Sequence, residues 1–178
     1  WIALEGGLAG AADAILLPER PFDVDAVASF CAARTAREGY TIICIAEGAH
    51  AAGAGLTVRA TLADSPDPLR LGGVGAWLAS QLQSRLETEV RATLLGHVQR
   101  GGSPTPYDRV LATRFGVHAA QLVRAGEFGR MVVLRGEDCA SVPIAEIAGR
   151  SRSVPDDHPL LLAAQGLGIM LGTTAPQR

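Results

Sequence analysis

Residues 91–109 read RATLLGHVQRGGSPTPYDR, and this stretch decides the fold. An apolar segment, Ala92 to Leu95, runs into His97 and Arg100, turns through Gly101 and Gly102, and meets Thr105 and Pro106, which suit the first turn of a helix. The pattern predicts a buried strand, a glycine turn and a helix. Turns of this kind open at the carboxyl edge of a parallel sheet, where α/β proteins place ligands. Gly101 and Gly102 let main chain approach a ligand closely. Arg100 offers a planar fork of donors suited to phosphate, and His97 adds a donor whose charge follows pH.

Outward from that stretch, three more short apolar runs bounded by charge, Gly or Pro read as buried strands: residues 14–17, 41–46 and 131–134. Helical patterns alternate with them. Residues 23–37 follow Pro21 and set Val24, Val27, Phe30 and Cys31 on one face. Val74, Trp77, Leu78, Leu82 and Leu86 form a second stripe at helical spacing, and the helix beginning near Pro106 carries Val110, Leu111, Phe115, Leu122 and Val123. A last apolar helix is expected from Pro159 to Leu171. Residues 49–72 show no periodicity and read as a surface loop. Alternating strands and helices predict an α/β fold, a layered and largely parallel sheet with helices on both faces.

The 178 residues suit one domain, residues 1–178, since domains commonly run to roughly 100–150 residues. With 48% apolar and 19% charged residues, and no apolar run approaching the ~18–20 residues of a membrane helix, no membrane span is expected. A net charge of −2 gives no attraction for a nucleic-acid backbone. The single Arg100-Gly101-Gly102 tripeptide, without repeats or interleaved aromatics, does not change that. All 16 basic residues are arginine, which removes lysine-dependent phosphate loops, Schiff bases and Ser-Lys nucleophiles. Cys31, Cys44 and Cys139 are far apart and odd in number, so neither a paired-cysteine metal site nor a full disulfide framework is expected, and a reducing cytoplasm is the simplest compartment. The chain opens at Trp1 inside an apolar stretch, which suggests natural sequence upstream.

The string at 91–109 resembles the signature of the 6-phosphofructokinase family: an Arg, then G-H-x-Q-R-G-G, then D-R. It matches at Arg91, Gly96, His97, Gln99, Arg100, Gly101, Gly102, Asp108 and Arg109. ADAILLPE at 12–19 and IAEGA at 45–49 fit in the same order. The resemblance implies the C-terminal, sugar-phosphate-binding half of a two-lobed enzyme that phosphorylates the 1-hydroxyl of fructose 6-phosphate in glycolysis. His97 and Arg100 would contact that sugar, Arg91 its 6-phosphate and Glu47 its hydroxyls. The donor, ATP or pyrophosphate, with Mg²⁺ and the catalytic aspartate, would belong to an N-terminal half that this chain lacks. The chain alone is therefore expected to be inactive. A non-catalytic phosphosugar-binding or regulatory module is the alternative.

Bland readings stand beside these. Arg91, close to Glu87 and Glu89, suits a surface ion pair, and Asp108 suits a helix start. Asp13 matches a position that in some allosteric family members carries an effector-site carboxylate, with only Arg34 and Arg37 in view as cations. On one extended strand, Arg91 and His97 would lie about 20 Å apart at ~3.3 Å per residue. That separation predicts a sugar site shared between subunits, in keeping with the tetramers typical of the family.

Overall fold

In the computed structural model, residues 1–55, 58–61, 69–71 and 73–173 are described, those at 58–61 and 69–71 as backbone. Two units emerge: residues 1–94 with the segment from Ser153 onward, and residues 95–152.

The first unit is organised by β1, Ala14–Leu16, whose successive side chains alternate between two apolar clusters, as a strand's period of two requires. Ala14 and Leu16 pack with Val27 and Cys31 of α2 (Val24–Glu38) and with Leu78 and Leu82 of α3 (Val74–Gln83). Ile15 and Leu17 pack with Ala3 and Leu4 of α1 (Ile2–Ala9) and with Leu161 and Ala164 of α6 (Pro159–Gly166). Phe22, Leu4, Ile15, Leu16 and Leu17 are almost wholly buried, each contributing about 1.5–3 kcal/mol relative to exposure. β1 pairs in parallel with β2, Ile43–Ile45, in the register Ala14 to Ile43 and Leu16 to Ile45. On its other side Met170 joins in parallel, the Ile15 amide donating to the Met170 carbonyl at 2.8 Å. α1 lies so close to β1 that a Cβ on Gly7 would come within 2.7 Å of Ile15 Cγ1.

Local signals explain the helix limits. Asp23 caps α2, accepting from the Ala26 amide at 2.9 Å, and Gly39 ends it in the left-handed region at φ 86°. α6 stops at Gly166 instead of running to Leu171, because Gly166 and Gly168 interrupt it and the chain extends to place Met170 beside β1.

Residues 49–72 are not simply a loop. Val58–Thr61, β3, and Leu69–Leu71, β4, pair antiparallel within it; residues 56, 57, 62–68 and 72 lie outside the described residues. Four and three residues are too few for alternation to stand out from a loop.

The second unit contains a 3₁₀ turn at Gly96–Arg100, α4 at Pro106–Arg124, β5 at Arg130–Arg135, β6 at Asp138–Pro143 and α5 at Ile144–Ile147. α4 begins where Pro106 predicts. The Thr105 side chain accepts from the Asp108 amide while Asp108 accepts from Thr105, and these bonds hold the Asp108 carboxyl below its ordinary range. Asp108 thus has the structural role its position predicts.

Two expectations require correction. The strand at 92–95 is not formed: residues 91–95 take no regular structure, and Leu94 and Leu95 are exposed. A strand exists only through hydrogen bonds to a partner, which an apolar run does not supply by itself. The expected strand at 131–134 is β5, but it pairs antiparallel with β6 through the two-residue turn Gly136-Glu137, with Gly136 at φ 62°. Among the described residues the chain is thus mixed α/β with three two-stranded sheets, one parallel and two antiparallel, in place of one largely parallel sheet.

Candidate functional site

Glu47 follows β2 in a turn closed by the Ala49 amide donating to the Ala46 carbonyl at 2.9 Å. It sits at the carboxyl end of a parallel strand with its side chain exposed. An ionised carboxylate there can accept hydrogen bonds from vicinal hydroxyls.

Arg91 is held in a fork by Glu89: Nε donates to Oε1 at 2.8 Å and Nη2 to Oε2 at 3.0 Å. Both side chains are largely exposed, so the pair is worth about 0–1 kcal/mol and yields readily to a stronger anion. Val90 and Ala46, the residues preceding Arg91 and Glu47, both pack against the cluster around Leu16 and Leu78. That core tethers the backbone at both positions within the first unit.

His97 and Arg100 occupy one 3₁₀ turn, Gly96–Arg100. Residues three apart eclipse each other in such a turn, so the imidazole and guanidinium share one face, and both are exposed. Gly96 opens the turn at φ 53° and Gly102 follows it at φ 101°, which glycine adopts without strain. Because residues 91–95 are not a strand, the 20 Å separation of Arg91 from His97 does not apply, and the distance argument for a shared site lapses. Arg91 belongs to the first unit, His97 and Arg100 to the second.

Asp13 has a structural assignment. Its Oδ1 accepts from Arg34 Nε at 2.7 Å and its Oδ2 from the Ile42 amide at 2.8 Å, joining β1, α2 and the start of β2. Arg34 also meets Glu38 at 2.9 Å, and its guanidinium pKa is raised, first by the Asp13 hydrogen bond. Arg37 pairs with Glu38 as well. Both cations considered for an effector therefore already have carboxylate partners.

Two polar groups near the carboxyl ends of β1 and β2 went unread in the sequence. Glu19 accepts from the Val154 amide through Oε1 at 2.8 Å, while its Oε2 is buried without a partner among the described residues. His50 Nδ1 is in the same condition. Glu19 lies inside the ADAILLPE match, which was the available signal; nothing local marked His50. An open concavity of about 630 Å³, lined by Tyr107, Arg114, Leu134 and Glu137, contains none of the four predicted residues.

Fold and site together define an α/β protein with an anion-suited arginine–histidine turn. The chain belongs to the phosphofructokinase family, whose model matches residues 1–123. It is 49% identical over 154 residues to a pyrophosphate–fructose 6-phosphate 1-phosphotransferase of Streptomyces coelicolor, covering 86% of this chain and 45% of that protein. To an ATP-dependent 6-phosphofructokinase of Chloroflexus aurantiacus it is 46% identical over 173 residues, 97% of this chain and 47% of the relative. The chain thus spans about half the length of the curated relatives it matches. Its fold matches that of a crystallographic pyrophosphate-dependent phosphofructokinase from Marinobacter aquaeolei with a TM-score of 0.69 at 20% identity, over 100% of this chain and 47% of the other. Among the described residues, no helix is long and apolar enough to cross a membrane.

Proposed function

We propose that this chain supplies the fructose 6-phosphate-binding part of a cytoplasmic 6-phosphofructokinase, which transfers a phosphoryl group to the sugar's 1-hydroxyl. The observation that carries the reading is the match at RATLLGHVQRGGSPTPYDR, with His97 and Arg100 on one exposed face of a single turn. By the family resemblance, His97 and Arg100 contact fructose 6-phosphate, Arg91 its 6-phosphate and Glu47 its hydroxyls. Arg91 exchanges Glu89 for the phosphate dianion at little cost. Phosphoryl transfer depends mainly on alignment and charge stabilisation, so positioning is a substantial share of catalysis.

Two arginines, a histidine donor and one carboxylate suit a phosphorylated sugar. Among the described residues no cluster of His, Cys, Asp or Glu is arranged to hold a metal. By the family resemblance, the donor, Mg²⁺ and the catalytic base belong to the half that this chain does not span. Relatives named for pyrophosphate and for ATP match at 49% and 46% identity, which is what donor selection outside this region would produce. A homotetramer with a sugar site shared between subunits follows from the family resemblance.

The test joins the unspanned half of a close relative ahead of Trp1 to give a completed enzyme. Turnover of fructose 6-phosphate by that enzyme, and none by residues 1–178 alone, is expected. Sugar binding without turnover in the completed enzyme would favour a phosphosugar-binding module, and turnover by the isolated chain would contradict the division of labour.

A further inference from the structure

The main chain that leads into Arg91 belongs to no helix or strand: α3 ends at Gln83, and residues 86–95 form neither. A guanidinium that receives an anion must still be presented from a fixed place, since binding gains from order already present. Two side chains supply that order. Val90 packs against the cluster around Leu16 and Leu78. Gln83 reaches the main chain on both sides of Glu89: its Nε2 donates to the Thr88 carbonyl at 3.2 Å, and its Oε1 accepts from the Val90 amide at 2.9 Å. A primary amide carries donor and acceptor side by side, so one side chain does here what a neighbouring strand does in a sheet. Among the described residues, no other hydrogen bond reaches the main chain of residues 87–90. The base of this clasp is fixed as well. Leu82 is buried, and Arg85 ties the end of α3 to α2 by donating to Asp25 Oδ1 at 2.7 Å.

We propose that Gln83 is a positioning residue of the sugar-phosphate site: its side-chain amide locks the main chain at Thr88 and Val90 and so sets where the next residue, Arg91, presents its guanidinium. Glu89 lies between the two clasped positions and forks Arg91 at 2.8 and 3.0 Å, so carboxylate and guanidinium are ordered together. Gln83 needs no contact with sugar, because it acts through Arg91. Its side chain is exposed, so the two bonds are of ordinary net strength and the effect on binding is modest. The inference rests on the reading of Arg91 as a ligand of the 6-phosphate.

The test is a double-mutant cycle in the completed enzyme, with circular dichroism confirming that each variant is folded. Gln83→Leu, which removes both bonds, should raise Kd and KM for fructose 6-phosphate about two- to tenfold and leave kcat within about twofold, the pattern of a lost binding contribution. Gln83→Glu still accepts from the Val90 amide but cannot donate to Thr88, so its Kd should fall between those of the parent and Gln83→Leu. In an Arg91→Ala background Gln83→Leu should add nothing, and in an Arg100→Ala background it should keep its full effect. Amide exchange at Val90, read without sugar, should quicken in Gln83→Leu while exchange in α2 is unchanged. An unchanged Kd in Gln83→Leu, where Arg91→Ala does weaken binding, would overturn this inference and leave the functional reading standing. An equal effect in the Arg91→Ala background would also overturn it, as the mark of a general structural role. No effect of Arg91→Ala itself would remove Arg91 from the site and the inference with it.

Discussion

Asp13 and Arg34 face each other at 2.7 Å across the junction of β1 and α2, and the second oxygen of Asp13 takes the Ile42 amide at the entrance to β2. One carboxylate therefore fixes three elements of the first unit. Asp13→Ala leaves the Ile42 amide and the Arg34 fork without that acceptor and is expected to destabilise by about 1–3 kcal/mol. Urea unfolding reads the loss. A midpoint equal to the parent's would show that the clasp contributes nothing.

Gly6 and Gly7 separate helix propensity from packing. A Cβ at Gly7 would meet Ile15 Cγ1 at 2.7 Å and Cys44 Cβ at 3.2 Å, whereas nothing lies within 4 Å of one at Gly6. Gly7→Ala is expected to cost about 1–3 kcal/mol. Gly6→Ala should stabilise by ~0.5–1 kcal/mol, because alanine loses less entropy in a helix. Thermal unfolding of both variants decides it, and shifts in the same direction would contradict the close approach of α1 to β1.

Burial, and secondarily the charge of Asp13, push the Cys31 thiol from its ordinary value of 9.0 up to about 11. The folded state then retains a proton that the unfolded chain releases, so stability is unaffected below the ordinary value and falls between about pH 9 and 11. The loss is at most ~2–3 kcal/mol. Chemical denaturation across pH 8–11 should show this decline in the parent and a shallower one in Cys31→Ala. Identical slopes would remove Cys31 as the cause.

Much of this fold was legible locally. α2 begins at Val24 just after its cap Asp23, α4 begins at Pro106, and β1 covers three of the four expected residues, because apolar period, Pro and Gly act over a few positions. The misread strands share one physical origin, that a strand exists only where a partner supplies its hydrogen bonds. Leu94 and Leu95 read as a strand but gained no neighbour, while Asp138–Pro143, with hardly an apolar run, is a strand because it faces β5. In the site, residue chemistry was legible and geometry was not. His97 and Arg100 were read as neighbours at a strand end, and the 3₁₀ turn that aligns them could not be told from an extended run.

The Glu89 fork makes a further prediction about the sugar site. If Arg91 takes the sugar phosphate as proposed, phosphate displaces Glu89, and Glu89→Ala should tighten fructose 6-phosphate binding in the completed enzyme by up to about fivefold, the equivalent of ~0–1 kcal/mol for an exposed pair. Titration calorimetry at low salt is the measurement. Weaker binding would mean that Glu89 itself holds Arg91 in its working position.

The central claim is that the Gly96–Arg100 turn grips the sugar phosphate, and Arg100→Ala tests it most directly. Loss of a charge-assisted hydrogen bond should weaken fructose 6-phosphate binding to the completed enzyme by ~1.5–3 kcal/mol, roughly 10- to 150-fold in Kd. Calorimetric titration of parent and variant, with circular dichroism confirming that both are folded, gives the comparison. A Kd raised within that range is the predicted result; an unchanged Kd in a folded variant would take Arg100 out of the site and contradict the account.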